Sequence, residues 1–201
     1  MDLVTLGRSL GFSLAAGLNL YATVAILGLA ARYGWVELPP QFQVFNHDVV
    51  IGAAIVMYLI EFLADKIPYF DSLWDAVSTA IRPTVGAVIG LLIAQDAPTL
   101  EQAILAACGG AAALVSHLVK GGLRLIVNTS PEPASNITVS VGEDVAVAGV
   151  TTLAVLNPGL ALAIAALLLV TGILLLVLLW SRVLRGWRRF RAWRARRLAV
   201  V

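Results

Sequence analysis

Acidic side chains are concentrated in one short stretch of an otherwise apolar chain. Between positions 61 and 75, four carboxylates and one ammonium group stand among aromatic residues. The carboxylates form two pairs whose members are four positions apart, so each pair shares one face of a helix. Pro68 lies between the pairs and predicts two helix ends that meet at a turn or a re-entrant hairpin. The candidate site residues of this stretch are Glu61, Asp65, Lys66, Asp71 and Asp75.

The two acidic pairs differ in how well a structural role explains them. Asp71 and Asp75 precede a predicted helix, where a carboxylate can cap the helix and complement its dipole. Glu61 instead follows twelve apolar residues, so it is predicted to lie well inside the bilayer. An ionisable group at that depth is costly unless it is paired or hydrated.

Basic side chains on two other apolar segments are the natural partners of these acids. His117, Lys120 and Arg124 are spaced three and four apart on one helical face, and Arg82 lies on the preceding segment. Charges that face lipid are unfavourable, so this stripe is predicted to point into the bundle. Two interpretations remain open, interhelical ion pairs that fix the packing or a polar pathway. His117 is either a proton relay or a neutral, hydrogen-bonded core histidine.

A second polar segment follows between positions 128 and 144. Prolines on both sides of Glu132 exclude continuous helix there. Its hydroxyl, amide and carboxylate oxygens suit a hydrated cation or a polar headgroup, with Ser130, Glu132 and Asn136 as candidates. The segment either dips into the membrane or forms a plain loop, with the next helix beginning near Ile137.

The composition indicates which elements carry these residues. The chain has 201 residues, 60% hydrophobic and 13% charged, with a mean hydropathy of +0.91, which is typical of a membrane protein. About 20 apolar residues span the bilayer as a helix. We therefore predict an all-α bundle of about six spans, in which the fifth apolar stretch is too short to cross alone. The apolar segments run over about 11–31, 49–60, 76–94, 102–127, 144–157 and 160–180.

The positive charge is confined to the C-terminus. Eight of the fourteen Lys and Arg residues lie in the last twenty positions, so residues 1–181 carry a formal charge of −6. The positive-inside rule places this tail in the cytoplasm, and an even number of spans then places both termini there. Residues 1–183 form the predicted membrane domain and 184–201 a surface tail that binds anionic headgroups. The anchor residues are Arg182, Arg185, Trp187, Arg188, Arg189, Arg191, Trp193 and Arg194.

Small and polar residues predict how the helices pack. Gly7 and Gly11, like Gly86 and Gly90, have the four-residue spacing of close helix contacts. Asn19 interrupts the first apolar segment and either packs between helices or contributes an amide to a cavity. Two halves of three spans each, about 1–95 and 100–183, would have the opposite orientations of an inverted repeat.

The polar motifs resemble a known family. The chain is similar over about residues 5–180 to the bacterial membrane-protein family catalogued as domain of unknown function 4126. The resemblance implies an integral membrane protein and brings no biochemical activity with it. It depends on the motifs Glu61-Phe-x-x-Asp65-Lys66-Ile-Pro68-x-x-Asp71-Ser72-x-Trp74-Asp75, Arg82-Pro83 and Asn128-Thr-Ser130-Pro131-Glu132-Pro133-x-x-Asn136.

Three functions are compatible with these residues. The first is a transporter or channel in a bacterial cytoplasmic membrane, with a polar intramembrane site for an ion or for a small polar or phosphate-bearing substrate such as a lipid. The second is a membrane scaffold or accessory protein without transport activity. Independently of the function, the Gly-rich helix faces are compatible with a homo-oligomer. The third is an enzyme whose paired carboxylates hold a divalent metal on a lipid phosphate. The sequence has no arrangement of residues typical of a catalytic nucleophile, so no catalytic residue is predicted. We also predict neither a cofactor nor a nucleic acid partner.

Overall fold

The chain folds as a bundle of helices. The computed structural model describes residues 2–35, 40–67, 70–128 and 133–198, and the side chains of 41, 72, 133 and 193–198 are not among the groups described. These residues contain seven α-helices, one 3-10 helix and no strand, which confirms the predicted all-α class. The helices are α1 (Leu3–Leu18), α2 (Leu20–Arg32), the 3-10 helix (Pro40–Asn46), α3 (Asp48–Ala64), α4 (Phe70–Ile93), α5 (Thr99–Val127), α6 (Pro133–Leu156) and α7 (Pro158–Leu198).

Four of the described helices are long and apolar enough to cross a membrane. They are the apolar stretches of α4, α5, α6 and α7, while α3 has 17 residues and α1 and α2 are shorter still. Many large apolar side chains of α7 are more than half exposed, among them Leu167, Leu174 and Leu178. In water such a surface would be unfavourable, so its natural surroundings are lipid tails.

The first predicted span is not one helix. α1 ends at Leu18, and Asn19 has extended backbone angles (φ −148°, ψ 101°) before α2 begins. The Asn19 side chain accepts a hydrogen bond of 2.9 Å from the Ala22 amide and so caps α2. The prediction of a continuous span over 11–31 was wrong because an asparagine that can cap a new helix stabilises a break.

α1 and α2 form a hairpin that enters and leaves at one end of the bundle. Residues 2 and 5, in the first turn of α1, share a surface cavity with the α4–α5 connection. Arg32 at the end of α2 pairs with Asp48 at the start of α3. Phe12 of α1 and Leu27 of α2 pack in the same core cluster. The tip at Asn19 therefore lies about 24 Å along α1 from this end.

The described C-terminal helix emerges at the opposite end. Trp180 and Val183 of α7 line a groove with Ile126 of α5, whereas Glu101 of α5 lines the cavity beside Asp2. The 25 residues of helix between these two α5 positions rise about 38 Å. An arrangement with both termini on one side therefore does not fit this bundle, because the hairpin returns instead of crossing.

The fifth segment is longer than its apolar stretch. α6 has 24 residues and begins at Pro133, and proline is favoured in the first turn of a helix. The view that this segment is too short to cross was therefore wrong, and the alternative of an early helix start agrees with the structure. Its first half carries polar residues that face the bundle interior, where Asn136 and Ser140 are buried.

Close contacts between helices occur at the predicted glycines. A Cβ atom on Gly86 of α4 would lie 2.6 Å from the Gly109 carbonyl oxygen of α5, and one on Gly11 would lie 2.7 Å from the Ala154 Cβ atom. Gly7 and Gly90 face backbone carbonyls even more closely. The prediction of close packing at these four positions is confirmed. α4 also continues through Pro83.

Candidate functional site

Eight charged side chains from four elements meet inside the bundle. We call them the buried charge cluster. α3 and the turn after it supply two acids, α4 supplies two acids and one arginine, α5 supplies two cations and α6 one acid. Seven of the eight are at most 5% exposed, and the eighth, Glu143, has a side chain 10% exposed. The cluster consists of Glu61, Asp65, Asp71, Asp75, Arg82, Lys120, Arg124 and Glu143.

Arg124 holds the part of the cluster nearest the α5 C-terminus. Its guanidinium donates to the Glu143 carboxylate (2.6 Å), the Asn136 side chain (2.7 Å) and the Asp65 carbonyl (2.6 Å). The Asp65 carboxylate lies 3.1 Å away and that of Asp71 3.9 Å away. One cation thus joins the ends of α3, α4 and α5 to the start of α6.

Lys120 lies one helical turn deeper. Its ammonium donates to Glu61 (2.9 Å), Asp65 (3.0 Å) and the Leu18 carbonyl at the hairpin tip (3.2 Å). The Asp75 carboxylate is 3.8 Å away. Three donors matched to three oxygens satisfy the ammonium fully, which is what a buried lysine charge requires.

Arg82 lies deepest and contacts the hairpin tip directly. Its guanidinium pairs with Glu61 and donates to the carbonyls of Gly17 (3.1 Å) and Leu18 (3.0 Å). These carbonyls belong to the last turn of α1, where backbone acceptors have no partner within the helix and the helix dipole favours a cation. The break at Asn19 therefore creates the acceptor site for Arg82.

His117 is a neutral imidazole in this arrangement. Its Nδ1 lies 3.0 Å from a guanidinium nitrogen of Arg82, and its Nε2 lies 3.0 Å from the Thr79 hydroxyl oxygen. A guanidinium can only donate, so Nδ1 accepts and the ring proton is on Nε2. The Thr79 hydroxyl in turn donates to the Asp75 carbonyl at 2.9 Å. Of the two interpretations of His117, the hydrogen-bonded core histidine fits better than the proton relay.

The basic residues of α5 determine how far the cluster extends along the bundle axis. His117, Lys120 and Arg124 lie on one face and cover about 10 Å along the helix axis. Acids from α3, α4 and α6 are placed between these cations. Opposite charges therefore form a column from the end of the bundle with the α3–α4 connection to the hairpin tip.

The column contains more acceptors than its cations satisfy. Together with Lys66 and Asp144 beside it, the described residues supply six carboxylates and four cations, a formal surplus of two negative charges. Six buried carboxylate oxygens have no hydrogen-bond donor among the described residues. They are one oxygen each of Glu61, Asp65, Glu143 and Asp144 and both oxygens of Asp75.

The remaining predicted site residues lie at the edge of the column or outside the described part. Lys66 donates to the Phe62 carbonyl (3.1 Å), lies against the Phe62 ring and is 3.4 Å from the Ser140 hydroxyl. Burial lowers the pKa of Lys66 from its ordinary value, and the charges of Asp144 and Asp65 oppose this shift. Ser130 and Glu132 lie outside the described residues.

Three contributors are not among the predicted site residues. Glu143 and Asp144 lie at the end of the second polar segment, and Asn19 donates to Asp144 at 3.4 Å. On a helix, Glu143 falls on the same face as Asn136 and Ser140, which was the available signal. The carbonyls of Gly17 and Leu18 could not be predicted without the break in α1.

The acids are engaged by cations rather than grouped as metal ligands. Among the described residues no set of three or more His, Cys, Asp or Glu side chains is arranged to hold a metal ion. Glu61, the deepest acid, accepts from both Arg82 and Lys120.

A groove leads from the surface of the bundle to the column. It has a volume of about 580 Å³ and lies between α4, α5 and α7. Asp75, Thr79 and His117 form its polar end, and its walls are mostly apolar side chains such as Leu125 and Trp180.

Comparison with known proteins identifies the family. The model of the family described as Domain of unknown function (DUF4126) matches residues 6–178. The chain belongs to this family. The match includes the whole buried charge cluster and the hairpin from residue 6 onward, and it ends just before the Arg-rich part of α7. The comparisons with curated proteins and with solved structures found no match.

Beyond the family match, α7 continues as a helix through the basic tail. The helix extends to Leu198, and the Arg191 guanidinium lies 5.4 Å from the centre of the Trp187 ring. The side chains of Trp193 and Arg194 are outside the described set. Anchoring of this tail at anionic headgroups, and the domain boundary at 183, stay predictions.

Proposed function

We propose that the protein is a small transporter whose buried charge cluster binds a proton or a small cation during transport. The observation that carries the proposal is the acceptor surplus. Six buried carboxylate oxygens have no donor among the described residues, in a bundle whose outer surface is apolar. A surplus of buried negative charge at membrane depth is unfavourable even when most acids have a cation nearby, so a proton or cation would stabilise the cluster.

The hairpin supports the same proposal. α1 and α2 place a helix break about 24 Å into the bundle, where the exposed carbonyls of Gly17 and Leu18 contact Arg82 and Lys120. Discontinuous helices that bring backbone dipoles to charged groups are typical of transport sites. A bundle held together by close packing alone has no need of such a break.

Proton flux into proteoliposomes tests this function. We expect a pH-sensitive dye inside the vesicles to report flux driven by a potassium diffusion potential. Asp75→Asn should reduce flux to the level of protein-free vesicles, because it removes a titratable carboxylate and preserves the side-chain shape. Asp48→Asn is the matched control, since Asp48 is exposed at the other end of the bundle and should transport like wild type.

A scaffold function is the second candidate and is favoured by a different observation. Lys120 and Arg82 are each held by several partners, as expected of ion pairs that serve packing. If Asp75→Asn, Glu61→Gln and Lys120→Ala all transport like wild type, or if the wild type shows no flux of protons, sodium or potassium, the scaffold function replaces transport.

The orientation of the bundle gives a separate prediction. The Arg-rich end of α7 is proposed to face the cytoplasm of a bacterial cell, so the first turn of α1 should face outward. After Cys108→Ala, a membrane-impermeant maleimide should label Leu3→Cys in intact spheroplasts and Gly186→Cys only after lysis. Labelling of both positions from the same side would contradict this topology.

A further inference from the structure

Hydroxyl side chains follow one face of α1. Thr5, Ser9 and Ser13 are spaced four apart, so they share a face of the helix, and we call them the hydroxyl row. Gly17 continues the spacing, and its carbonyl accepts a hydrogen bond from Arg82. From Thr5 to Gly17 the helix rises about 18 Å. The hydroxyl row therefore leads from the deep end of the charged column to the opposite end of the bundle.

The hydroxyl row faces the contact between α4 and α5. At one end, Thr5 lines a cavity together with residues of the α4–α5 connection. At the other, the Ser13 hydroxyl donates to the Gly86 carbonyl of α4 at 3.1 Å. Ser9 lies on the same face between these positions and is 0% exposed, so it is buried where the three helices meet.

Close packing alone does not explain Ser9. Its hydroxyl oxygen is buried and has no hydrogen-bond partner among the described residues, which costs free energy that an alanine of nearly the same size would avoid. A hydroxyl group both donates and accepts hydrogen bonds. It is therefore suited to a site that water or a hydrated cation enters.

The end of the hydroxyl row at Thr5 opens into an acidic cavity. Asp2, Asp96 and Glu101 are among the residues that line it, and its volume is about 450 Å³. None of the described residues that line it is a lysine or an arginine. Acidic walls raise the local concentration of cations. The hydroxyl row thus joins a cavity that attracts cations to a column with an acidic surplus.

We propose that the hydroxyl row is the second half of the transport path, and that it becomes filled with water when a hydrated proton or small cation passes between the acidic cavity and the buried charge cluster. This inference rests on the proposed transport function and names its route. The row is closed in this structure, because a Cβ atom on Gly109 of α5 would lie 2.8 Å from the Ser13 hydroxyl oxygen. Passage therefore requires α1 to move away from α4 and α5.

Reaction of silver ions with introduced cysteines tests this path. Ag⁺ is a small cation that binds thiolates, and a thiol in dry, apolar surroundings does not ionise. In proteoliposomes with a potassium diffusion potential and a Cys108→Ala background, we expect Ag⁺ to consume the thiols of Ser9→Cys and Ser13→Cys. Mass spectrometry after alkylation with N-ethylmaleimide measures the thiols that remain. Any proton flux that these variants carry should fall to the level of protein-free vesicles after Ag⁺ treatment.

Ala15→Cys is the matched control. Ala15 is also 0% exposed, but it lies about 120° around α1 from Ser9 and packs in an apolar core cluster with Val147. Its thiol should remain unreacted, and Ag⁺ should not change the flux of this variant. Ser13→Cys provides the same comparison if Ser9→Cys does not fold.

The failure of this path and the failure of transport give different results. Unreacted thiols of Ser9→Cys and Ser13→Cys in protein that carries proton flux would overturn the path and leave the transport function standing. Equal reaction of these thiols and that of Ala15→Cys would also overturn the path, because water would then enter α1 on every side. Absence of flux from the wild type would remove the transport function and the path together.

Discussion

Replacement of Arg82 by methionine should cost about 3–5 kcal/mol of unfolding free energy, the usual effect of removing one partner from a buried ion pair. Methionine preserves much of the side-chain length and removes the charge. Glu61 would lose its Arg82 partner, and the Gly17 and Leu18 carbonyls would lose donors at 3.1 and 3.0 Å. Reversible unfolding in mixed micelles with increasing SDS, followed by circular dichroism, measures this change.

Arg32→Met is the matched control for this variant. Arg32 also pairs with an acid, Asp48, but their side chains are 40% and 76% exposed, and such surface pairs contribute at most about 1 kcal/mol. A second substitution, Glu61→Gln in the Arg82→Met background, should recover part of the loss because it removes a buried negative charge that Arg82 no longer offsets. Equal unfolding free energies of Arg82→Met and Arg32→Met would show that the contacts of Arg82 at the hairpin tip contribute little to the stability of the fold.

The charged residues of the cluster were predictable because the bilayer makes them conspicuous. Glu61 after a long apolar run, and the cations of α5 at three- and four-residue spacing, had to face the bundle interior whatever the topology. The pairing within the column could not be read from spacing. Lys120 contacts acids from three different elements, and only the packed bundle decides which oxygens come within reach.

The hairpin was missed because hydropathy alone does not record a reversal of direction. Residues on both sides of Asn19 are apolar, so the mean hydropathy of a segment long enough to span the membrane stays high across the break. The signal was present in one side chain, since asparagine caps helices well. The start of α6 was left open between two alternatives for the opposite reason. Asn136, Ser140 and Glu143 make the segment look polar, although on a helix they occupy one face, which is turned toward Arg124 and Lys66.

A single methyl group should have opposite effects at two glycines of the bundle. At Gly86 the new Cβ atom would lie 2.5 Å from the Ala113 Cβ atom and 2.6 Å from the Gly109 carbonyl oxygen. The Gly109 carbonyl belongs to the backbone of α5 and cannot rotate away as a side chain could, so α4 and α5 would have to separate. Gly86→Ala should therefore lower the unfolding free energy by about 1–3 kcal/mol. Gly52 of α3 has nothing within 4 Å of this position, and Gly52→Ala should raise it by up to about 1 kcal/mol.

The same SDS titration measures both glycine variants, and the difference in sign separates packing from helix propensity. Both glycines lie inside helices, so propensity alone would stabilise both alanine variants. Loss of stability at Gly86 must then come from the contact between α4 and α5, which also positions Arg82 one turn before Gly86. A stabilising Gly86→Ala would mean that the two helices are not in close contact there, and the placement of Arg82 beside the hairpin tip would lose its support.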